Sequence, residues 1–325
     1  MSAAALPFQN TRVAVLTIRV PAESIFMQSA DDTVMFERIL FPTDGSDPAS
    51  AVLDHAIALA LAHDAELYVL NVADTTRDSV TRIQGEVVDA LVRDGERIVE
   101  AAAETARERG VSTDAEVQQG RPARTILEYA ATRDIDLVVM PTHGRRGVSR
   151  LLLGSTTERV VRQSDVPVLT ARPEEATLTY PYETVLVPTD GSETADQALT
   201  LGADLAAADQ AALHLFSLVE VDTLGFDVRS DIKLEPVKAH VQTILDDGAA
   251  LARDAGVERV TTAMDYGMSI HKAVLRYTRE HDVDLVVIGT HGRTGFDRYM
   301  LGSVAEAVIR SSPVPVLVVR EYDAP

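Results

Sequence analysis

Residues 282–292 read DVDLVVIGTHG, and residues 134–144 read DIDLVVMPTHG. In both stretches a continuous apolar run follows two aspartates and leads into a loop that contains threonine, histidine and glycine. An unbroken apolar run of this length is typical of a strand that is buried on both faces, as in a parallel sheet covered by helices. The two stretches therefore predict an α/β fold that occurs twice in the chain.

The remaining sequence supports a duplicated domain. Residues 38–46 (RILFPTDGS) recur as residues 184–192 (TVLVPTDGS), and residues 164–169 (SDVPVL) recur as residues 312–317 (SPVPVL). The offset between the copies is nearly constant along the chain, which favours two domains over a solenoid of short repeats. We predict a leader at 1–34, a first domain at 35–172, a linker at 173–181 and a second domain at 182–325. The leader matches nothing in the second copy and is interpreted as a disordered tail or as a wrongly extended start before Met35.

Within each copy, strand patterns alternate with helix patterns. In the first copy the predicted strands are Ile39–Pro42, Leu67–Val72, Val111–Gln118, Asp136–Met140 and Val166–Ala171. The predicted helices are Ala49–Ala62, Val80–Arg109, Arg121–Arg133 and Ser155–Gln163. This order predicts two doubly wound α/β domains, each a five-stranded parallel sheet with helices on both faces.

The closing segments of the two copies predict how the domains associate. Val166–Ala171 and Val314–Arg320 are apolar, rich in β-branched residues and last in their sheets. An exposed apolar edge is a liability that proteins usually cover or pair. We therefore expect the two domains to pair face to face through these strands as an internal pseudo-dimer, and a homo-oligomer is a further possibility.

Composition limits the partners of the chain. The formal net charge is −20 and the pI about 4.7, so the surface should repel nucleic-acid phosphates and anionic membranes. No apolar run approaches the ~20 residues that a membrane helix requires. Cysteine is absent, which excludes disulfides and thiolate chemistry and agrees with a reducing cytoplasm. We expect a cytoplasmic protein without nucleic-acid or membrane partners, and the acidic, lysine-poor composition is what a salt-loving cytoplasm favours.

A glycine-rich loop follows the last fully apolar run of each copy and leads into a short helix. In the second copy this loop contains Gly289 and Gly292, and Gly302-Ser303 stands at the start of the helix. A strand, a glycine loop and a helix start together present backbone N–H groups and a positive helix end to phosphates. We expect Ser303 to cap the helix and to offer its hydroxyl to a phosphate. Glycines also permit ordinary turns, so the recurrence of this loop after both strands is what makes it informative.

The sequence Pro-Thr-Asp-Gly-Ser follows the first strand of each copy. In open α/β sheets, ligands bind beyond the carboxyl ends of the strands, where the strand order reverses. Asp44 and Asp190 would then face the same pocket as the glycine loops and accept hydrogen bonds from an adenine amino group or ribose hydroxyls. The alternative is that each aspartate, or the serine that follows it, only caps the next helix.

Together these motifs resemble the ATP-binding signature of the universal stress protein family. The pattern Gly-x2-Gly-x9-Gly-Ser, the Pro-Thr-Asp-Gly-Ser opening and the Val-Pro-Val-Leu closing strand all match, and the resemblance covers roughly residues 36–172 and 182–320. It implies a stress-response protein that binds ATP, with AMP, ADP or accompanying Mg²⁺ also possible. The nucleotide-binding residues that it implies in the second copy are Pro188, Thr189, Asp190, Leu218, Ile288, Gly289, Gly292, Gly302, Ser303 and Val304. In the first copy they are Pro42, Thr43, Asp44, Val72, Met140, Gly144, Gly154, Ser155 and Thr156.

One departure from this signature separates the copies. Pro141 stands in the first copy where the second has Gly289. Proline lacks an N–H group and fixes φ near −65°, so it cannot make the same contact. We therefore expect the second domain to bind ATP at least as tightly as the first.

The sequence offers little support for catalysis. It contains no Walker loop, no His-Glu-x-x-His metal motif and no Gly-x-Ser-x-Gly nucleophile elbow. His143 and His291 recur, but no nucleophile or orienting carboxylate stands beside them in sequence, so we assign them a structural or ligand-lining role. Arg145, Arg146 and Arg293 follow the loops and either neutralise phosphate charge or form surface ion pairs. Two other functions stay open: a slow ATPase or adenylyl-transferring enzyme, and a nucleotide-free interaction module.

Overall fold

The computed structural model describes residues 35–74, 86–144, 153–172, 178–220, 231–291 and 301–320. The strands are β1 Arg38–Pro42, β2 Glu66–Ala73, β3 Thr113–Gln119, β4 Leu137–Pro141, β5 Val168–Ala171, β6 Thr184–Pro188, β7 Ala212–Glu220, β8 Arg259–Gly267, β9 Leu285–Gly289 and β10 Val316–Val319. The helices are α1 Asp47–Ala62, α2 Glu86–Glu108, α3 Pro122–Thr132, α4 Ser155–Gln163, α5 Glu193–Ala208, α6 Asp231–Asp254, α7 Ile270–Glu280 and α8 Ser303–Ser311. In the described ranges, no helix has both the length and the apolar character that crossing a membrane requires.

These strands lie in a single sheet with the order β3-β2-β1-β4-β5-β10-β9-β6-β7-β8. Within each half, neighbouring strands are parallel, and β1 and β6 take the equivalent central positions. Each half is therefore a five-stranded parallel sheet of the doubly wound type, which confirms the predicted fold class. The predicted start of the second helix, residues 80–85, lies outside the described residues.

The two halves meet at the antiparallel pair β5–β10. Leu169 pairs with Leu317 at its centre, and the hydroxyl of Thr170 donates a hydrogen bond to the carbonyl of Val316 at 3.2 Å. The predicted association of the closing strands is confirmed. The predicted face-to-face arrangement is wrong, because the strands join edge to edge and extend one sheet across both halves.

The closing strands β5 and β10 both begin two residues after the start of the apolar closing segments, at Val168 and Val316. The hydroxyl of Ser164 accepts a hydrogen bond from the Val166 N–H at 3.3 Å, and Ser312 does the same for Val314 at 3.2 Å. These side-chain bonds hold a turn before each strand, and β5 and β10 start directly after Pro167 and Pro315. Because proline has no N–H to donate, the position just before the ladder suits it.

Helices cover both faces of the sheet, and each face has its own continuous apolar core. One core lies under α1, α2, α5 and α6 and includes Phe41, Val139 and Leu317. The other lies under α3, α4, α7 and α8 and includes Leu40 and Met140. Strand residues alternate between these cores, as the period of two in a β-strand requires. Each core contains residues of both halves.

Candidate functional site

The strand order reverses between β1 and β4 in the first half and between β6 and β9 in the second. The predicted site residues gather at these two switch points. Residues 43–46 follow β1 and residues 142–144 follow β4, while residues 189–192 and 290–291 follow β6 and β9. Crevices of this kind, at the carboxyl ends of parallel strands, are where doubly wound proteins bind ligands.

In the loop after the central strand, aspartate and serine have separate roles. Asp44 Oδ1 accepts a hydrogen bond from the Ser46 N–H at 3.0 Å, and Asp190 Oδ1 accepts one from Ser192 at 3.0 Å. The serine hydroxyls cap α1 and α5 by accepting bonds from the N–H groups three residues further on, at 3.4 and 3.3 Å. The helix-capping alternative therefore holds for the serines, whereas the aspartates shape the loop.

The aspartate loop and the glycine loop meet in the first half. A Cβ atom added to Gly144 would collide with Asp44 Oδ2, so the backbone after β4 lies directly against this carboxylate. A larger residue at 144 would require the Asp44 side chain to move. In the second half the matching glycine, Gly292, lies outside the described residues.

The helices α4 and α8 begin at glycines that touch the loops after β4 and β9. The N–H groups of Gly154 and Gly302 donate to the carbonyls of Thr142 and Thr290, both at 2.7 Å. A Cβ at Gly302 would lie 2.9 Å from the Thr290 carbonyl oxygen, which is closer than side chains tolerate. The close approach fixes glycine at this position.

These glycines are the N-caps of α4 and α8, and the N-cap position of neither helix provides a side-chain cap. Ser155 and Ser303 are the first helical residues, so the expectation that Ser303 caps α8 is wrong. The close contact with the preceding loop requires glycine at the N-cap position, so a residue with a capping side chain cannot stand there. The N-cap glycines themselves offer no side-chain acceptor to the first N–H groups of each helix, which suits an anion at the helix end.

The apolar residues of the predicted sites all belong to the same face of the sheet. Met140 and Ile288 are buried in the core under α3, α4, α7 and α8. Val72, Leu218 and Val304 are half-buried and pack against that core. The first half has the half-buried Thr156 where the second has Val304. Apolar side chains therefore lie beside the polar loops in both halves, on the α3/α4 and α7/α8 face.

Gly289 and Pro141 end equivalent strands but have different surroundings. A Cβ at Gly289 would lie 2.9 Å from both the carbonyl oxygen and the Cγ2 atom of Thr194, so β9 packs closely on the first turn of α5. In the first half the carbonyl of Pro141 accepts a hydrogen bond from the Thr157 hydroxyl at 2.9 Å. Glycine at 289 therefore allows the close contact between β9 and α5, whereas Pro141 differs by lacking a backbone N–H group.

Sequence reasoning missed two supports of the loops. The buried Asn71 side chain donates a hydrogen bond to the Thr43 carbonyl at 2.8 Å, and the one available sign was a polar residue inside the apolar run of β2. The hydroxyl of Thr142 lies 3.1 Å from Nδ1 of His143, and the hydroxyl of Thr290 lies 3.0 Å from Nδ1 of His291. His143 is buried, which agrees with a structural or lining role.

The second half has an additional carboxylate close to the loop after β6. Asp196 lies in the first turn of α5, and burial followed by repulsion from Asp190 raises the pKa of its carboxyl group. The first half has Ser50 at this position. In the part of the chain that the structure describes, no group of three or more His, Asp or Glu side chains is placed to hold a metal ion. Arg145, Arg146 and Arg293 lie outside that part.

The fold and its duplicated switch-point loops define a tandem doubly wound α/β protein with one candidate site in each half. The model of the universal stress protein family matches residues 35–172 and 181–320, and the chain therefore belongs to the universal stress protein family, a family of stress-response proteins.

Individual relatives agree with this assignment. A universal stress protein of Methanocaldococcus jannaschii is 36% identical over 141 residues, which cover 42% of this chain and 83% of the relative. A universal stress protein of Mycobacterium tuberculosis is 31% identical over 238 residues, which cover 70% of this chain and 77% of the relative. The crystal structure of a universal stress protein from Archaeoglobus fulgidus has the same fold, with a TM-score of 0.66, 24% identity and coverage of 89% of this chain and 99% of that one.

Proposed function

We propose that this protein binds ATP at its switch points, in the second domain at least as tightly as in the first, and holds it without efficient turnover. One observation carries the proposal. Each switch point combines an aspartate loop with a helix whose N-cap is a glycine, which offers no side-chain acceptor to the first N–H groups.

The two parts of the nucleotide would contact different parts of the site. The carboxylates of Asp44 and Asp190 are suited to accept hydrogen bonds from adenosine N–H or O–H groups. Leu218 and Val304 offer a half-buried apolar surface to the base in the second half. The start of α8 offers N–H groups and a positive helix end to the phosphates.

The proposal of binding without efficient turnover rests on the lining role assigned to the histidines. Nδ1 of His143 and of His291 lies at hydrogen-bond distance from the hydroxyl of the preceding, buried threonine. These contacts fix the orientation of each ring, as a lining role requires. A phosphate cradle without a general base that activates water binds its ligand better than it hydrolyses it.

Three measurements on the full chain test the proposal. Heat denaturation of the purified protein followed by mass spectrometry should release an adenine nucleotide. Calorimetric titration of the nucleotide-free protein with ATP should show saturable binding, and a phosphate-release assay should show no steady turnover. Absence of binding would favour the interaction module, and steady phosphate release would favour an ATPase.

A further inference from the structure

A cavity of about 400 Å³ lies between α1 and α2 of the first half. Its apolar lining includes Phe41, Leu53, Ile98 and Ala102, and hydroxyl groups are provided by Ser50 and Thr105. Phe41, Leu53 and Ala102 belong to the core under α1, α2, α5 and α6. The apolar residues of the candidate nucleotide sites lie on the opposite face of the sheet. Thr43 and Gly45, in the loop after β1, also line the α1–α2 cavity, so it adjoins the first candidate site from the other face of the sheet.

The second half provides an internal comparison, because Gly110 and Gly256 follow α2 and α6 at matching positions, both with positive φ. Counted back from these glycines, Ala102 of α2 corresponds to Gly248 of α6. A Cβ at Gly248 would lie 3.0 Å from Leu199 Cδ2. At Gly248, helix α6 therefore packs so closely against α5 that little space remains for a side chain. At the matching place in α2, Ala102 has a Cβ atom.

A second side chain fills the matching space in the second half. Ile244, the counterpart of Ile98, lies so close to the loop after β6 that a Cβ at Gly191 would be 2.9 Å from its Cδ1 atom. In the first half, Ile98 and the counterpart of that glycine, Gly45, line the open cavity instead. The same place in the fold is thus packed in one copy and open in the other.

The charges at the rim of the cavity indicate the class of ligand. Asp54 and Arg97 line the rim, and both are ion-paired: Asp54 with Arg109 at 2.6 Å, and Arg97 with Asp94 at 2.5 Å. A charged ligand would have to compete with these pairs, and the net charge of −20 disfavours an anion in particular. The volume lies in the range of ~300–1,000 Å³ that is typical of small-molecule sites.

We propose that the α1–α2 cavity binds a small uncharged amphipathic molecule, with its apolar part on Phe41 and Ile98 and a hydroxyl, amide or carbonyl group toward Ser50 and Thr105. The cavity shares Thr43 and Gly45 with the loop of the first candidate ATP site, but the proposal does not require that ATP binds there. An open apolar space of this size with hydroxyl groups at its border is suited to such a ligand.

The neutral fluorescent probe N-phenyl-1-naphthylamine tests the proposal on the full chain. A titration should show saturable binding to the parent protein. Ala102→Leu places a side chain in the cavity and should weaken binding about tenfold or more, because the ligand volume is then occupied. Ile244→Ala opens the matching space in the second half and should add a second binding event.

Isotope labelling of the isoleucine δ1 methyl groups locates the probe in the parent protein, independently of whether Ala102→Leu folds. The Ile98 methyl signal should shift on probe binding, and the Ile244 signal should not. The proposal would be overturned if the parent protein showed no saturable binding, or if the probe bound without shifting the Ile98 signal. It would also be overturned by unchanged affinity in a folded Ala102→Leu variant or by the lack of an added binding event in a folded Ile244→Ala variant.

Discussion

The two oxygens of the Asp44 carboxylate contact different parts of the first candidate site. Oδ1 accepts the Ser46 N–H and so shapes the loop after β1, while Oδ2 lies against Gly144 in the loop after β4. Asp190 makes the same loop bond to Ser192 at the same distance. An asparagine at either position would keep a carbonyl oxygen for the loop bond and lose the negative charge. This difference separates loop shape from ligand recognition.

We predict that Asp190→Asn weakens ATP binding by about 1.5–3 kcal/mol, roughly tenfold to hundredfold, because a hydrogen bond to a charged acceptor is lost. Since the asparagine still accepts the Ser192 N–H, the free energy of unfolding should change little. Calorimetric titration with ATP measures the affinity, and urea unfolding measures the stability. Asp247→Asn on the exposed side of α6 is the control and should bind like the parent. Parent-like affinity in Asp190→Asn would restrict this residue to shaping the loop.

Among the elements, the order of strands and helices followed from sequence periodicity, and so did some of their ends, such as those of α4, but other features of the helix starts did not. The apolar runs of β4 and β9 and the helical spacing in α1 were visible in the sequence because burial dictates them. The N-caps of α4 and α8 were not, since a backbone contact with Thr142 or Thr290 selects glycine there. The meeting of Asp44 with Gly144 was predictable, because the carboxyl ends of neighbouring parallel strands converge at one edge of a sheet.

Gly302→Ala tests how far the start of α8 depends on this contact. The added Cβ would lie 2.9 Å from the Thr290 carbonyl oxygen, so α8 must shift. We predict a loss of about 1–3 kcal/mol of stability, as for other overpacked sites, together with weaker ATP binding. Chemical denaturation and calorimetry measure the two effects.

The control for this change is Gly110→Ala after α2. Gly110 has a φ of +92° with open space around its Cβ position, so alanine there is strained without a steric contact. It should cost about 1 kcal/mol or more of stability and leave ATP affinity unchanged. If Gly302→Ala and Gly110→Ala changed the affinity equally, the start of α8 would have no special part in binding.

At the scale of the molecule, the halves are joined by more than the β5–β10 pair. The Tyr182 hydroxyl, just before β6, lies 2.9 Å from Nε2 of the buried His55 in α1. Tyr180 donates to Asp209 at the end of α5 at 2.8 Å and lies 3.3 Å from His63 Nε2 at the end of α1. The sequence predicted the strand pairing from its apolar edges. It did not predict this cluster, because His55 and Tyr182 are distant in the chain and their counterparts in the other copy are different residues.

His55 makes stability depend on pH. Burial lowers the pKa of His55 from 6.5 to about 4. Between pH 6.5 and pH 4 the unfolded chain therefore binds a proton at His55 that the folded chain does not. The contribution of His55 to the free energy of unfolding is complete above pH 6.5 and decreases as the pH falls toward 4. The loss amounts to about 3 kcal/mol. His55→Gln, whose amide can still bond Tyr182, should remove this part of the pH dependence in urea unfolding between pH 7 and 4.5, whereas the exposed His240→Gln should not. Identical pH slopes for all three proteins would contradict the assignment.

The antiparallel β5–β10 pair should hold the two halves in one sheet, and Leu317→Asp tests this. Leu317 is buried and pairs with Leu169, so an aspartate there places a carboxylate in an apolar environment without a partner. We predict several kcal/mol of destabilisation and separation or aggregation of the halves, because two apolar strand edges are exposed. Small-angle scattering should show a larger radius of gyration or larger assemblies.

Leu169→Asp should have the same effect as Leu317→Asp, because it removes the other member of the same pair. Leu61→Asp, at a half-exposed position in α1, should change neither size nor stability. A Leu317→Asp protein with the size and unfolding free energy of the parent would show that the cluster around Tyr180 and Tyr182 holds the halves together without this strand pair.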